Sequence, residues 1–400
     1  MIKRAGGVLF ACFLTIFIHY FIRYSYGALL PEMLPVFQIT KAEAGVIYSS
    51  YFIAYTILAP IMGALSDRFN IRVILTVFTL FMALGAYLMS LASSLLEASF
   101  FFAITGIGCS ACWAPVMALA QRWISMKRKG MALSFIDAGS SLGVMASGAV
   151  VPLIAMTFDW RTGWVSLGIF GLVIAILNFL LVRDNTTPET IRRRKQKPKG
   201  IFAIDSYRQC LVDRRFWLIG IAYLFTGFSI MIPFTFISTY TVQELSFPYE
   251  SGALLITMIG FGGMIGKLVM GPLSDKIGRI WVLIISSAFI GAGSLGVTVG
   301  RGEAIMMAVT CVFGFGYGAV WSMYAACASD YFEQDSSGGI IGLWTVLLGI
   351  GLIISPIISG WIADITGTLY WSFFLAAAGG LFSILILIPM FKEPLYTALP

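Results

Sequence analysis

Apolar residues run along this chain in twelve stretches of roughly 20 or more, broken by short polar turns. A helix rising about 1.5 Å per residue needs about that length to cross the ~30 Å hydrocarbon core of a bilayer. The stretches lie at about 8–30, 45–66, 72–93, 95–121, 131–157, 161–182, 216–240, 251–272, 280–299, 303–329, 338–363 and 369–391. One long polar stretch holds Arg192, Arg193, Arg194, Lys195, Lys197 and Lys199. It divides the chain into a six-helix half at 1–182, a basic linker at 183–215 and a second six-helix half at 216–400. The fold predicted is an all-α membrane protein of twelve transmembrane helices. The first apolar run is too long for a signal-peptide core and shows no small-residue cleavage site, so it reads as the first span.

Composition agrees. Hydrophobic residues make up 59% of the chain and charged residues 11%, against roughly a quarter charged in soluble domains. The net charge of +7 does not mark a nucleic-acid binder, because of where the charges sit. With the N-terminus inside, cytoplasmic segments carry 21 Lys and Arg and outside loops carry three, Lys41, Arg161 and Arg301. That asymmetry predicts a multi-pass protein with both termini cytoplasmic, placed in the plasma (inner) membrane. Cys109 and Cys112 form a C-x-x-C, but within an apolar span, where small residues serve helix packing.

The halves repeat. Gly63-Ala-Leu-Ser-Asp67 recurs as Gly271-Pro-Leu-Ser-Asp275, an offset of 208. The same offset carries Gly106 to Gly314, Trp113 to Trp321, Gly130 to Gly338 and Gly143 to Gly351. One offset across three separate spans implies two bundles related by pseudo-twofold symmetry. In such folds the solute sits between the bundles near mid-membrane.

Residues 63–72, GALSDRFNIR, resemble the loop signature of the major facilitator superfamily, and residues 271–279, GPLSDKIGR, resemble its second copy. The resemblance implies gating roles for Gly63, Asp67, Arg68, Arg72, Gly271, Asp275 and Arg279. The glycines would allow close helix approach, and the aspartates would cap helix ends and pair with arginines. Asn70 stands where the family usually has glycine. The stretches around 106–168 and 342–373 further resemble the branch of monocarboxylate porters and oxalate–formate antiporters. In that branch an arginine precedes a glycine in the eighth helix; here Lys267-Leu-Val-Met-Gly271 occupies the place, and the branch's nearby aspartate is Gly263.

Charges within spans are costly and so are functional candidates. Arg23 and Lys267 lie in the first and eighth spans, and their repeat-related positions, Met231 and Ala59, are uncharged. The scaffold therefore does not require them. Both are candidate substrate ligands, together with Tyr24, Trp113, Tyr317 and Trp321. Asp137 either pairs with a cation or exchanges a coupling proton. His19, one turn before Arg23, either shares that coupling role or is a hydrogen-bonded interior histidine.

The expected function is secondary active transport of a small organic anion, a carboxylate, by alternating access with proton symport or anion exchange. Efflux of an amphipathic drug or peptide-like solute is the second transport reading, and a non-transporting membrane sensor is a third, from another class. No nucleophile–base set, metal-ligand cluster or nucleotide motif suggests an enzyme, a metal, a cofactor or nucleotide drive. The partners expected are the anionic solute, a coupling proton or counter-anion, and the lipid bilayer.

Overall fold

The computed structural model describes residues 2–66, 69–124, 129–183, 210–333 and 337–393. Among them the first half comprises α1 (Ile2–Phe37), α2 (Lys41–Ser66), α3 (Ile71–Met89), α4 (Leu95–Cys109), α5 (Ala114–Trp123), α6 (Lys129–Thr157) and α7 (Trp160–Leu181). The second comprises α8 (Arg214–Gln243), α9 (Tyr249–Ile277), α10 (Arg279–Val299), α11 (Glu303–Tyr331), α12 (Ser337–Thr366) and α13 (Tyr370–Leu387). The helices provide twelve membrane spans, with α4 and α5 forming one interrupted span. Large apolar side chains such as Phe100, Leu153, Ile169, Phe179, Leu268 and Leu381 are exposed around the outside, as expected where lipid is the solvent.

The repeat governs where helices begin. An offset of 208 carries the first residues of α2, α3, α4 and α6 onto the first residues of α9, α10, α11 and α12. The turn before α3 and α10 is made in two ways. Asn70 keeps φ at −65° and accepts a hydrogen bond from Arg72 N through its side chain. Its counterpart Gly278 has φ +93°, a left-handed conformation open to glycine without steric cost. The departure at Asn70 therefore replaces a backbone solution with a side-chain N-cap. On the face away from the chain ends, Ser94 and Asp159 cap α4 and α7 in the same manner. The two hydrogen bonds from Thr162 hold the Asp159 carboxyl below the usual carboxylate range.

The halves diverge in the fourth span. α4 stops at Cys109 and α5 starts at Ala114, with Pro115 in its first turn, a position where proline's missing N–H costs nothing. Its repeat, α11, runs unbroken from Glu303 to Tyr331.

The halves meet mainly through three helix pairs, α1 with α8, α2 with α12, and α6 with α9, and α1 also touches α9. The two faces of the membrane domain are called here the terminal face, where α1 begins and α13 ends, and the far face. On the far face the backbones touch. A Cβ added to Gly45 of α2 would lie 2.3 Å from Pro356 O of α12, and one on Gly360 of α12 would lie 2.3 Å from Lys41 O.

Candidate functional site

Arg23 projects from the middle of α1 into the seam between the halves and is only 3% exposed. Its guanidinium carbon lies 4.7 Å from the ring centre of Phe52, 5.2 Å from Tyr24, 5.8 Å from Tyr55, and 6.0 Å from both Tyr20 and Tyr51. A flat, weakly hydrated cation tolerates such faces better than an ammonium does. Its Nε and Nη2 have no hydrogen-bond partner. Among the described residues no carboxylate pairs with it. A buried cation with free donors is expensive unless something else completes it.

Arg23 borders a cavity of about 100 Å³ that extends from it toward the terminal face. Tyr20, Tyr55 and Trp113 line it from the first half, and Tyr223, Trp321, Tyr324 and Trp344 from the second. The two tryptophans of the second half differ. Trp344 donates its indole N–H to Phe216 O at 3.0 Å, whereas the Trp321 Nε1 is buried without a partner. A larger groove of about 550 Å³ between α3 and α7 is walled by Val77, Leu80, Phe81, Leu84 and Ile169. It opens among lipid-facing side chains and has no charged group to orient a solute, so the smaller cavity is the candidate site.

Lys267 corrects one expectation. It is not an unpaired cation: its Nζ lies 3.0 Å from Asp137 Oδ2 and donates to Ser140 Oγ at 2.5 Å and to Asp137 O at 3.3 Å. Of the two roles expected for Asp137, the structure shows pairing with a cation, and among the described residues that cation is Lys267 and not Arg23. The reason is geometric. α6 and α9 run side by side across the seam, which brings Lys267 against the turn carrying Asp137 and Ser140. The pair thus ties one half to the other.

The remaining candidates are distributed as follows. Trp113 and Trp321 line the cavity. Tyr24 and Tyr317 share a hydroxyl–hydroxyl bond of 3.2 Å across the seam, and the Tyr24 ring lies 4.0 Å from that of Phe234. His19 is buried against Tyr20, with ring centres 4.9 Å apart, and its Nδ1 is unpartnered. Of the loop-signature residues, Asp67 and Arg68 lie outside the described residues. Arg72 donates to Phe179 O at 2.6 Å, and Arg279 pairs with Asp275 at 2.7 Å and with Asp330 at 3.5 Å. These bonds stay within one half. Gly63 and Gly271 are not points of close approach in this conformer: a Cβ at Gly63 would meet nothing nearer than 3.9 Å, and one at Gly271 nothing within 4 Å. Tight glycine contacts between the halves lie elsewhere, at Gly45 and Gly360 on the far face and at Gly27 and Gly349 nearer mid-membrane.

Sequence reasoning missed Tyr20, Tyr55, Tyr223 and Trp344. Tyr20 carried a signal, since a residue three positions before Arg23 shares its helix face. The others come from distant helices.

The chain resembles known proteins over nearly its whole length. The model of the Major Facilitator Superfamily matches residues 12–298 and 251–397. A hexuronate transporter of Bacillus subtilis is 27% identical over 403 residues, covering 95% of this chain and 93% of that protein. Monocarboxylate transporter 4 of Mus musculus is 25% identical over 392 residues, covering 95% and 82%. Among solved structures, a mutant of the nucleoside transporter NupG aligns with a TM-score of 0.81 at 13% identity, covering 96% of this chain and 100% of that one; at that identity the likeness speaks for the fold. The chain is a transporter fold and not an enzyme, and it belongs to the Major Facilitator Superfamily.

Proposed function

We propose that the protein carries a small organic carboxylate across the membrane by alternating access, with Arg23 as the anchor for its negative charge. The observation that carries this reading is a buried guanidinium with unpartnered Nε and Nη2 at the end of a cavity between the halves. A carboxylate supplies the charge and the acceptors that the protein leaves out. Relatives named for hexuronate and monocarboxylate support an anionic solute. Trp321 Nε1 offers a second donor. The hydroxyls of Tyr20, Tyr55 and Tyr223 also have no partner among the described residues, which suits a solute that bears oxygens beyond its carboxylate. Asp137, held by Lys267 across the seam, is the acid placed to link a proton to movement of the halves. The termini are assigned to the cytoplasmic side by the distribution of Lys and Arg.

The test is uptake of labelled D-glucuronate and L-lactate into proteoliposomes containing the unmodified protein or Arg23→Gln. Loss of the charge-assisted bonds is expected to weaken binding by about 1.5–3 kcal/mol, with Arg23→Lys retaining part of it. Equal uptake by Arg23→Gln and the unmodified protein would remove Arg23 from the site.

A further inference from the structure

We infer that Thr226 is a positioning residue of the central site: its hydroxyl locks Tyr324 and so aims the Trp321 indole N–H at an oxygen that the solute carries beyond its carboxylate. This inference rests on the carboxylate reading above and adds the residue that sets the site's second contact.

The hydroxyl protons around Thr226 can each be assigned. Thr226 Oγ1 lies 2.8 Å from Ala222 O, 3.0 Å from the Tyr324 hydroxyl and 2.9 Å from Ser383 Oγ. Thr226, Tyr324 and Ser383 are all buried. A carbonyl oxygen cannot donate, so the single Thr226 proton goes to Ala222 O. The two lone pairs of the Thr226 hydroxyl then accept from Tyr324 and from Ser383, and Ser383 accepts in turn from Ser287 at 3.2 Å. Thr226 is saturated, and the one proton of Tyr324 is committed to it. Tyr324 therefore turns its hydroxyl into the core of the second half and presents its ring to the cavity.

The bond ties α8 to α11, whose backbones meet at few points, so their spacing at this level depends on side chains. Tyr223, one turn before Thr226 on α8, stacks on the Tyr324 ring with centres 4.0 Å apart. The same Tyr223 ring meets Trp321 edge-on at 5.9 Å. Trp321 itself lies one turn before Tyr324 on α11, and residues so spaced share a helix face. Fixing Tyr324 thus fixes both the roll of α11 and the ring against which Trp321 rests. The Trp321 Nε1 held in this way is buried and unpartnered, on a side chain that lines the cavity. The scaffold does not demand the bond. The 208-residue offset carries Thr226 to Ile18 and Tyr324 to Val116, and neither has a hydroxyl. Removing the Thr226 hydroxyl would orphan two buried donors at once, so Tyr324 would leave its place to find another acceptor.

The test uses two solute pairs matched in charge and similar in size that differ in hydroxyl oxygens: propanoate with L-lactate, and cyclohexanecarboxylate with D-glucuronate. Binding is measured calorimetrically on the purified full-length protein at pH ~7.5, where the carboxylates are ionised. The unmodified protein is expected to hold the oxygenated member of at least one pair about fivefold more tightly, the worth of one neutral hydrogen bond. Trp321→Phe removes the indole N–H and should erase that preference. Thr226→Val keeps the shape, removes the hydroxyl and should erase most of it, with the plain acids bound nearly as before. Thr226→Ser keeps the hydroxyl and should keep the preference. Tyr324→Phe breaks the same bond from its other end, and serves where Thr226→Val does not fold. In Tyr324→Phe the preference should already be lost, and adding Thr226→Val should change the ratio no further. A preference that survives Trp321→Phe, Thr226→Val or Tyr324→Phe overturns the inference. Equal weakening of both members of a pair by Thr226→Val, the mark of a purely structural role, overturns it as well, and so does an unmodified protein with no preference in either pair. The carboxylate reading fails separately, if Arg23→Gln binds the plain acids as tightly as the unmodified protein does. A protein that binds none of the four solutes overturns both.

Discussion

The seam between the two halves is built differently at its two faces. On the far face the halves are joined through backbone. Asp364, near the end of α12, accepts from Lys41 N and Ala42 N at 2.9 Å each, and Lys41 Nζ lies 2.9 Å from Glu244. Ser49 Oγ donates to Ile353 O at 2.6 Å, and the Tyr249 hydroxyl donates to Ala28 O at 2.9 Å. Toward the terminal face the same seam opens around the cavity, and the Lys267–Asp137 pair is made by side chains. The contrast teaches which contacts belong to one conformer. Bonds to backbone and glycine contacts at 2.3 Å demand close registry, so they form only when the far face is shut. A pair of long side chains tolerates rocking. Net energies of such bonds are about 1 kcal/mol each, because water replaces what separation removes. Two conformers can therefore stay close in energy, as alternating access requires.

The largest effect is expected where the backbones meet. Gly45→Leu places a side chain where even a Cβ would collide with Pro356 O. Overpacking of this kind costs about 1–3 kcal/mol, charged entirely to the conformer with a shut far face. Spin-label distances across the far face should lengthen, and transport turnover should fall by at least about tenfold. Unchanged distances would mean that α2 and α12 can slip apart without opening a path.

A smaller shift is expected from Asp364→Asn. The amide has one acceptor oxygen for two N–H groups and loses the charge that favours a helix N-terminus. The far face should open more often, by an amount worth about 1–2 kcal/mol. Reactivity of a cysteine placed at Ala44, which is fully buried and adjoins the seam residue Gly45, reads the change. An unreactive cysteine in Asp364→Asn would show that the cap does not hold the face closed.

Much of this architecture was legible in the sequence, and the parts that were not share one cause. Span count and pairing of the halves follow from apolar length and from the 208-residue offset, which are properties of local sequence. The end of the first span was read too early, near Leu30; α1 runs on to Phe37 with Pro31 and Pro35 inside it. The interruption at 110–113 hid within apolar sequence, although Pro115 marked it. Arg23 was found because a charge in a span is conspicuous by itself. The partner of Lys267 was not found, since it is 130 residues away and nothing local distinguishes Asp137 from a carboxylate that meets Arg23. The cap from Asp364 was invisible for the same reason, with 323 residues between it and Lys41. Sequence periodicity fixes what a helix is, while the seam depends on which helices lie beside one another.

The smallest expected effect isolates that distinction at a single helix end. The N-terminus of α2 has two caps. One is its own: Thr40 Oγ1 accepts from Glu43 N at 3.2 Å, and Glu43 Oε2 accepts from Thr40 N at 2.8 Å, the reciprocal pair of a capping box. The other is Asp364, which takes the next two N–H groups from across the seam. Thr40→Ala removes the first and leaves the second. It should cost about 1 kcal/mol of stability, the usual price of an N-cap, visible as a small drop in melting temperature. It should not raise the reactivity of the Ala44→Cys probe, because Thr40 and Glu43 belong to the same half and travel together. Asp364→Asn should do the reverse, opening the face with little change in the melting of the first half. If Thr40→Ala exposes the probe as strongly as Asp364→Asn does, the helix end is simply fraying. The cross-seam carboxylate would then be one more cap and would have no special part in holding the conformer.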